Sequence, residues 1–167
     1  NRPGSYSYFY LINFMPTYEE KTVNDLTLSH DQWKAAANNV NFRKSLFYGL
    51  NRIAAIACYD PHTPETYELR TITPVNFCAA DGKDYTDFDE LKEFTQESQY
   101  QPEKAKDYAA KARKELEAQG VTFPIVAYMP YEAGTAQVNL AQVVSDQIVE
   151  LLGADYIQFV LEAYPST

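Results

Sequence analysis

The stretch "YQPEKAKDYAAKARKELEAQGVTFPIVAYMP", residues 100–130, decides the fold because it holds a helix start, a helix, a stop and a strand in succession. Pro102 suits the first helical turn, where its missing N–H is not needed, and Glu103 places negative charge at the positive end of the helix dipole. Ala105, Tyr108, Ala109, Ala112 and Leu116 recur at helical spacing, while charged side chains from Lys104 to Glu117 fill the opposite face. Gly120 stands where a left-handed cap is wanted, and residues 121–128 form a β-branched and aromatic run that reads as a strand. Downstream, Leu140, Ala141, Val144, Ile148, Leu151 and Leu152 restore the helical period over residues 136–152. Gly153 stops it, and residues 156–161 read as a second strand. Helix, strand, helix, strand is the order of an α/β layer with parallel neighbours.

Composition bounds what such a layer does. The chain has 167 residues with 46% hydrophobic content, enough for one domain with a real core, residues 1–167. A net charge of −9 argues against a nucleic-acid surface, which needs clustered Lys and Arg to neutralise phosphate. The basic run from Lys104 to Lys114 is interleaved with acids and reads as a solvated helix face. No apolar run approaches the ~20 residues that cross a bilayer. The chain opens directly on a strand-like segment with no leader, as expected of a piece of a longer protein.

Catalytic and metal-binding signatures are missing. Cys58 and Cys78 make no C-x-x-C pair; they read as separately buried apolar residues, with a disulfide as the alternative. His30 and His62 have loop-like, polar neighbours and no zinc spacing, so no metal is expected. There is no G-x-S-x-G elbow and no glycine-rich phosphate loop. Asp87, Asp89 and Glu90 read as a capping cluster, not an acid/base pair. The chain is expected to be no enzyme and to need no cofactor.

The amino-terminal half is more specific. "GSYSYFYLINF", residues 4–14, puts Tyr6, Tyr8 and Tyr10 on one face of a strand by the two-residue alternation. That row fits either a ladder packed under a helix or a surface that grips a polar ligand, since tyrosine joins a flat apolar body to a hydrogen-bonding tip. Residues 16–39 turn polar and read as a surface excursion with a short helix at residues 31–37. In "NVNFRKSLFYGLNRIAAIACYD", residues 39–60, Asn41 is the expected N-cap of one long helix with Phe42, Leu46, Leu50, Ile53 and Ala57 on its apolar stripe. Its Arg43 and Arg52 read as structural. With Leu116, Leu140, Ile148 and Leu152, the stripe from Phe42 to Ile53 gives the expected core. Residues 61–101 read as a long irregular segment, with one helix at residues 88–94.

Taken in order, the tyrosine-rich strand ending in Asn13, "NFRKSLFYGLNR", "LRTITPVNFCAADGKDYTDFDEL", "YQPEKAKDYAAKARKELEAQGVTFPI" and "VVSDQIVELLGADYIQFVLE" resemble the second lobe of extracytoplasmic oligopeptide-binding proteins. These serve ABC importers, and the likeness is in particular to the lipoprotein type of Gram-positive bacteria. It covers nearly the whole chain. Two departures stand out: residues 18–39 are longer than in simple members, and the chain ends before a tryptophan- and aspartate-bearing loop that commonly helps hold the peptide's amino terminus. The resemblance implies part of one lobe of a type II periplasmic-binding-protein-like fold, a mixed sheet flanked by helices. It implies that the two-lobed parent captures extracellular oligopeptides for import, with permease subunits as partners and membrane contact only through a lipid anchor outside these residues. The alternative is a module for another solute, such as a sugar or metal chelate, or a surface interaction domain.

Ligands of α/β sheets bind beyond the carboxyl ends of the strands, which is where Tyr128, Tyr131, Glu132 and Gln137 are expected. With Tyr8 and Tyr10 of the tyrosine row, these six are the expected ligand-facing residues.

Overall fold

A computed structural model describes residues 10–68, 71, 73–74, 76–91 and 98–165. Two short strands, β1 (Thr22–Val23) and β2 (Leu26–Thr27), pair as a hairpin, followed by helices α1 (His30–Asn38), α2 (Val40–Gly49) and α3 (Arg52–Ile56). A second small hairpin joins β3 (Ala79–Ala80) to β4 (Lys83–Asp84). The carboxyl-terminal half is α4 (Pro102–Glu117), β5 (Ile125–Glu132), α5 (Thr135–Leu152) and β6 (Ile157–Tyr164). Strands β5 and β6 are parallel, in register from Ile125 opposite Ile157 to Glu132 opposite Tyr164. The α/β reading holds, and the βαβ unit sits where the sequence placed it.

Polar side chains set the helix boundaries. The Ser29 hydroxyl accepts from the Gln32 N–H and starts α1. Asn39 then serves two helices. Its N–H donates to the Ala35 and Ala36 carbonyls at the end of α1, while its Oδ1 accepts from the Phe42 N–H at the start of α2. The cap expected at Asn41 is therefore Asn39; Asn41 instead donates its side-chain amide to Glu115 at 2.8 Å. The single helix expected over residues 41–57 is two, because the backbone turns extended at Leu50 and Asn51, and the Asn51 side chain caps α3 by accepting from the Ala54 N–H. At the break Gly49 lies against α5. A Cβ there would meet Leu151 at 3.3 Å and Ile148 at 3.4 Å. Arg43 and Arg52 are structural, as expected: they donate to the Ala37 and Phe47 carbonyls and stack over Phe14 and Phe47.

The strand expected over residues 121–128 begins four residues later. Gly120, at φ +83°, ends the α4 region, and Val121 returns its N–H to the Leu116 carbonyl. Pro124 has no N–H to give a ladder, so pairing begins at Ile125, which donates to the Tyr156 carbonyl. The further strand expected near residues 6–13 is not found at Tyr10–Asn13, and residues 6–9 lie outside the described residues. Where described, this segment crosses α1: the Asn13 carbonyl accepts from Trp33 Nε1 at 2.7 Å, and Ile12 packs on the core. Of the helix expected at residues 88–94, Asp89–Leu91 forms a short 3₁₀ turn; residues 92–97 lie outside the described residues.

Both faces of the β5–β6 pair are covered. Ile125, Ala127, Ile157 and Phe159 pack against Trp33, Phe42, Leu116 and Ile148 from the helices. On the other face Val126, Tyr128 and Val160 meet Leu28, Tyr18, Val23 and Leu26. Residues 16–39 are thus not a surface excursion: Leu28, Ala36 and Ala37 are fully buried. The spacing of apolar residues there is short and broken, so neither period is visible in the sequence. Of the expected core, Phe42, Leu116 and Ile148 are buried and Leu46, Leu50 and Leu152 pack at its margin, whereas Ile53 and Leu140 are half-buried outside it. Both cysteines are free; Cys58 is half-buried and Cys78 exposed, so the expectation of two buried thiols fails at Cys78 beside the β3–β4 hairpin.

Candidate functional site

The carboxyl end of β5 runs into the first turn of α5 through Ala133 and Gly134, beside the carboxyl end of β6. Ala133 donates its N–H to the Tyr164 carbonyl at 2.8 Å, which extends the ladder past the last strand residue. The first turn of α5 has no side-chain cap and no acidic residue. Gln137 folds back on Gly134, where a Cβ would fall 2.5 Å from its Oε1 and would swing the glutamine side chain aside. Tyr131 is half-buried and Glu132 exposed, and Tyr164, opposite Glu132, is half exposed.

Tyr128 has different company. Its ring lies 5.0 Å from that of Tyr18, which in turn meets the His30 ring edge-on at 4.9 Å. Its hydroxyl lies beside the Glu162 carboxylate, which accepts from Lys21 Nζ at 2.8 Å. Burial pushes the Tyr128 phenol above its ordinary range, and the Lys21 hydrogen bond holds Glu162 below the usual carboxylate range. His30 does not sit in a loop: it opens α1, and its Nε2 lies 2.6 Å from the Tyr18 carbonyl. The Tyr18 hydroxyl is buried and bonds to none of the described residues.

The six expected ligand-facing residues are therefore not gathered on one surface. By strand alternation Tyr128 lies on the hairpin face and Tyr131 on the helical face of β5. Tyr131, Glu132 and Gln137 do share the end of the sheet. Tyr10 sits instead beside Tyr59 and Cys58 past the end of α3; burial of its hydroxyl pushes it up to about 12, although half of the residue's surface is exposed. Tyr8 lies outside the described residues. The residues that sequence reasoning missed are Tyr18, Lys21 and Glu162, which hold Tyr128 in place from 141 positions apart at the widest pair. An open hollow of about 590 Å³ lies elsewhere, between α1, α2 and α4, and shares no residue with the sheet end. Of its two carboxylates, Asp31 and Glu115, the latter is already tied to the Asn39 and Asn41 amides at 2.8 Å.

No protein-family model matches the chain. It is 33% identical over 155 residues to the oligopeptide-binding protein AliA of Streptococcus pneumoniae serotype 4, a match over 84% of this chain and 23% of that protein. It is 30% identical over 168 residues to the oligopeptide-binding protein SarA of Streptococcus gordonii, covering 92% of this chain and 25% of that one. The chain is homologous to one segment of the oligopeptide-binding proteins. AliB of Streptococcus pneumoniae matches similarly, at 30% over 170 residues and 26% of its length. This chain thus spans about a quarter of the length of the curated relatives it matches. Among solved structures, the pheromone receptor PrgZ superposes with a TM-score of 0.52 at 15% identity over 78% of this chain and 24% of that one, a likeness of fold. The fold is that of part of a periplasmic-binding-protein-like molecule, as the motifs implied.

Proposed function

We propose that this chain is part of the substrate-binding component of an ABC importer that captures extracellular oligopeptides. The observation that carries the reading is the match of 84–92% of the chain to proteins named for oligopeptide binding. Residues 1–167 act in it as a partial second lobe, with the rest of the clamp supplied by the longer parent. The parent sits outside the cytoplasm on a lipid anchor and delivers peptide to permease subunits. The lobe binds and does not catalyse.

Within this lobe, Tyr131, Glu132 and Gln137 face the ligand from the sheet end. Extended peptides are held by main-chain hydrogen bonds with roomy, wet side-chain pockets, and amide and phenol groups suit that contact. Tyr128 serves the same rim from beneath, clamped by Glu162 and Tyr18. Tyr8 and Tyr10 are assigned to the ligand-facing set separately from that rim, as residues of the amino-terminal segment, with Tyr10 half exposed beside Tyr59. Mass spectrometry of ligand co-purified with the full-length parent is expected to return a mixture of short peptides. A sugar or metal chelate in their place would overturn the reading.

A further inference from the structure

The run "YLINFM", residues 10–15, holds no charge in a chain in which 22% of residues are charged. Three of its large apolar side chains are left to solvent: Leu11 is 83% exposed, Met15 70% and Phe14 42%. A lone exposed leucine is ordinary on a folded surface, whereas a cluster of apolar side chains in one uncharged segment marks a contact face. The backbone that carries them is fastened. Ile12 packs on the core, the Asn13 carbonyl accepts from Trp33 Nε1 at 2.7 Å, and the Asn13 side-chain oxygen accepts from the Met15 N–H at 2.9 Å. Arg43 lies over the Phe14 ring, 5.4 Å from its centroid, while donating to the Ala37 carbonyl at 2.7 Å. Leu11 and Met15 thus stand on either side of a stretch held to α1 and α2, and their exposure follows from how that stretch is anchored.

We propose that Leu11, Phe14 and Met15 form a docking edge that is covered by an apolar, uncharged surface of the remainder of the longer polypeptide. The chain spans about a quarter of the length of its curated relatives. A surface of the same polypeptide is held at a high effective concentration, so a contact of three side chains suffices where a separate partner would need far more. A second copy of the chain fits less well, because stable interfaces between molecules bury ~1,200–2,000 Å² in total. An anionic membrane fits less well too, since the segment brings no lysine and the chain carries a net charge of −9. Because the segment is already anchored at Ile12, Asn13 and Phe14, covering it costs little further ordering. The proposal rests on reading the chain as part of a longer protein, and not on what that protein binds.

Hydroxyl-radical labelling, read by mass spectrometry at Leu11 and Met15, tests this in the full-length parent and in the 167-residue chain. Labelling is expected to be severalfold slower in the parent, both with its co-purified ligand retained and after that ligand has been removed. Leu11→Glu/Met15→Glu is expected to lower the melting temperature of the parent and to leave that of the 167-residue chain unchanged. Leu11→Ala/Met15→Ala gives the same split with a gentler change, so a parent that fails to fold with the acidic pair is still tested. Equal labelling in the two forms overturns the proposal. So does protection that appears only with co-purified ligand, only at high concentration of the 167-residue chain, or only with phosphatidylserine vesicles; these put a ligand, a second copy or a lipid surface on the segment. A sugar in place of peptide in the parent leaves this readout unchanged, so the peptide reading and the docking edge fail separately.

Discussion

The two faces of the β5–β6 sheet are built from alternate residues of the same two strands, yet they are held by different means. The helical face is dry and aromatic: Trp33 meets Phe42 at 6.2 Å, Phe42 meets Tyr156 at 5.8 Å, and Phe123 stacks on Tyr156 at 5.4 Å. The hairpin face buries Leu28, Val126 and Val160 but is closed at its edge by the Lys21–Glu162 pair and the Tyr128 hydroxyl. Packing strength should therefore concentrate on one side of the sheet and pH and salt sensitivity at acid pH on the other.

The sharpest test of that contrast is Phe42→Ala. Phe42 is fully buried at the centre of the helical face, and its loss should cost ~3–5 kcal/mol in denaturant unfolding. A cost below ~1 kcal/mol would mean that this face is not the main source of stability. The same face should also fail at high pH. Burial pushes Tyr156 from 10.0 up to about 12, with Ser45 Oγ at 3.2 Å from its hydroxyl. A raised folded value adds stability that is fully present below pH 10 and is lost as pH rises toward 12. The loss should approach roughly 2–3 kcal/mol and be absent in Tyr156→Phe, measured as unfolding free energy against pH.

At the margin the effect shrinks. Leu50 is half-buried at the helix break, so Leu50→Ala should cost about 1–2 kcal/mol, below the range for fully buried leucines. Glu162→Gln should do least. Its depressed value gives stability that is present above the ordinary carboxylate range and is lost as pH falls through the folded value, so parent and variant should converge in acid. Both groups of the pair are exposed, and salt should narrow the difference further. A difference that survives at pH 2 would place the effect in packing.

This ranking also explains what the sequence made legible. The helical face was read correctly, Leu140 apart, where a long period is visible: a core stripe repeats over 16 residues in α4, opposite a charged face, and over 18 in α5, opposite a polar face with few charges. The hairpin face was not, because β1 and β2 are two residues each and Leu28 stands alone between polar neighbours. Asn39 and Asn41 are alike as cap residues in sequence, and only the backbone decides between them. At the candidate site, Tyr131, Glu132 and Gln137 were placed together by a rule about strand ends. The four-residue shift of β5, caused by Pro124, moved Tyr128 inward along the strand and onto the Tyr18 ring. Lys21 and Glu162 had no local signal, since their pairing depends on the fold closing first.

The double duty of Asn39 sets how the amino-terminal helices come apart. One backbone N–H finishes α1 and one side-chain oxygen begins α2, so neither helix end frays without releasing a bond of the other. In hydrogen exchange the last turn of α1 and the first turn of α2 should then behave as one opening unit, and Asn39→Gly should raise their exchange rates together.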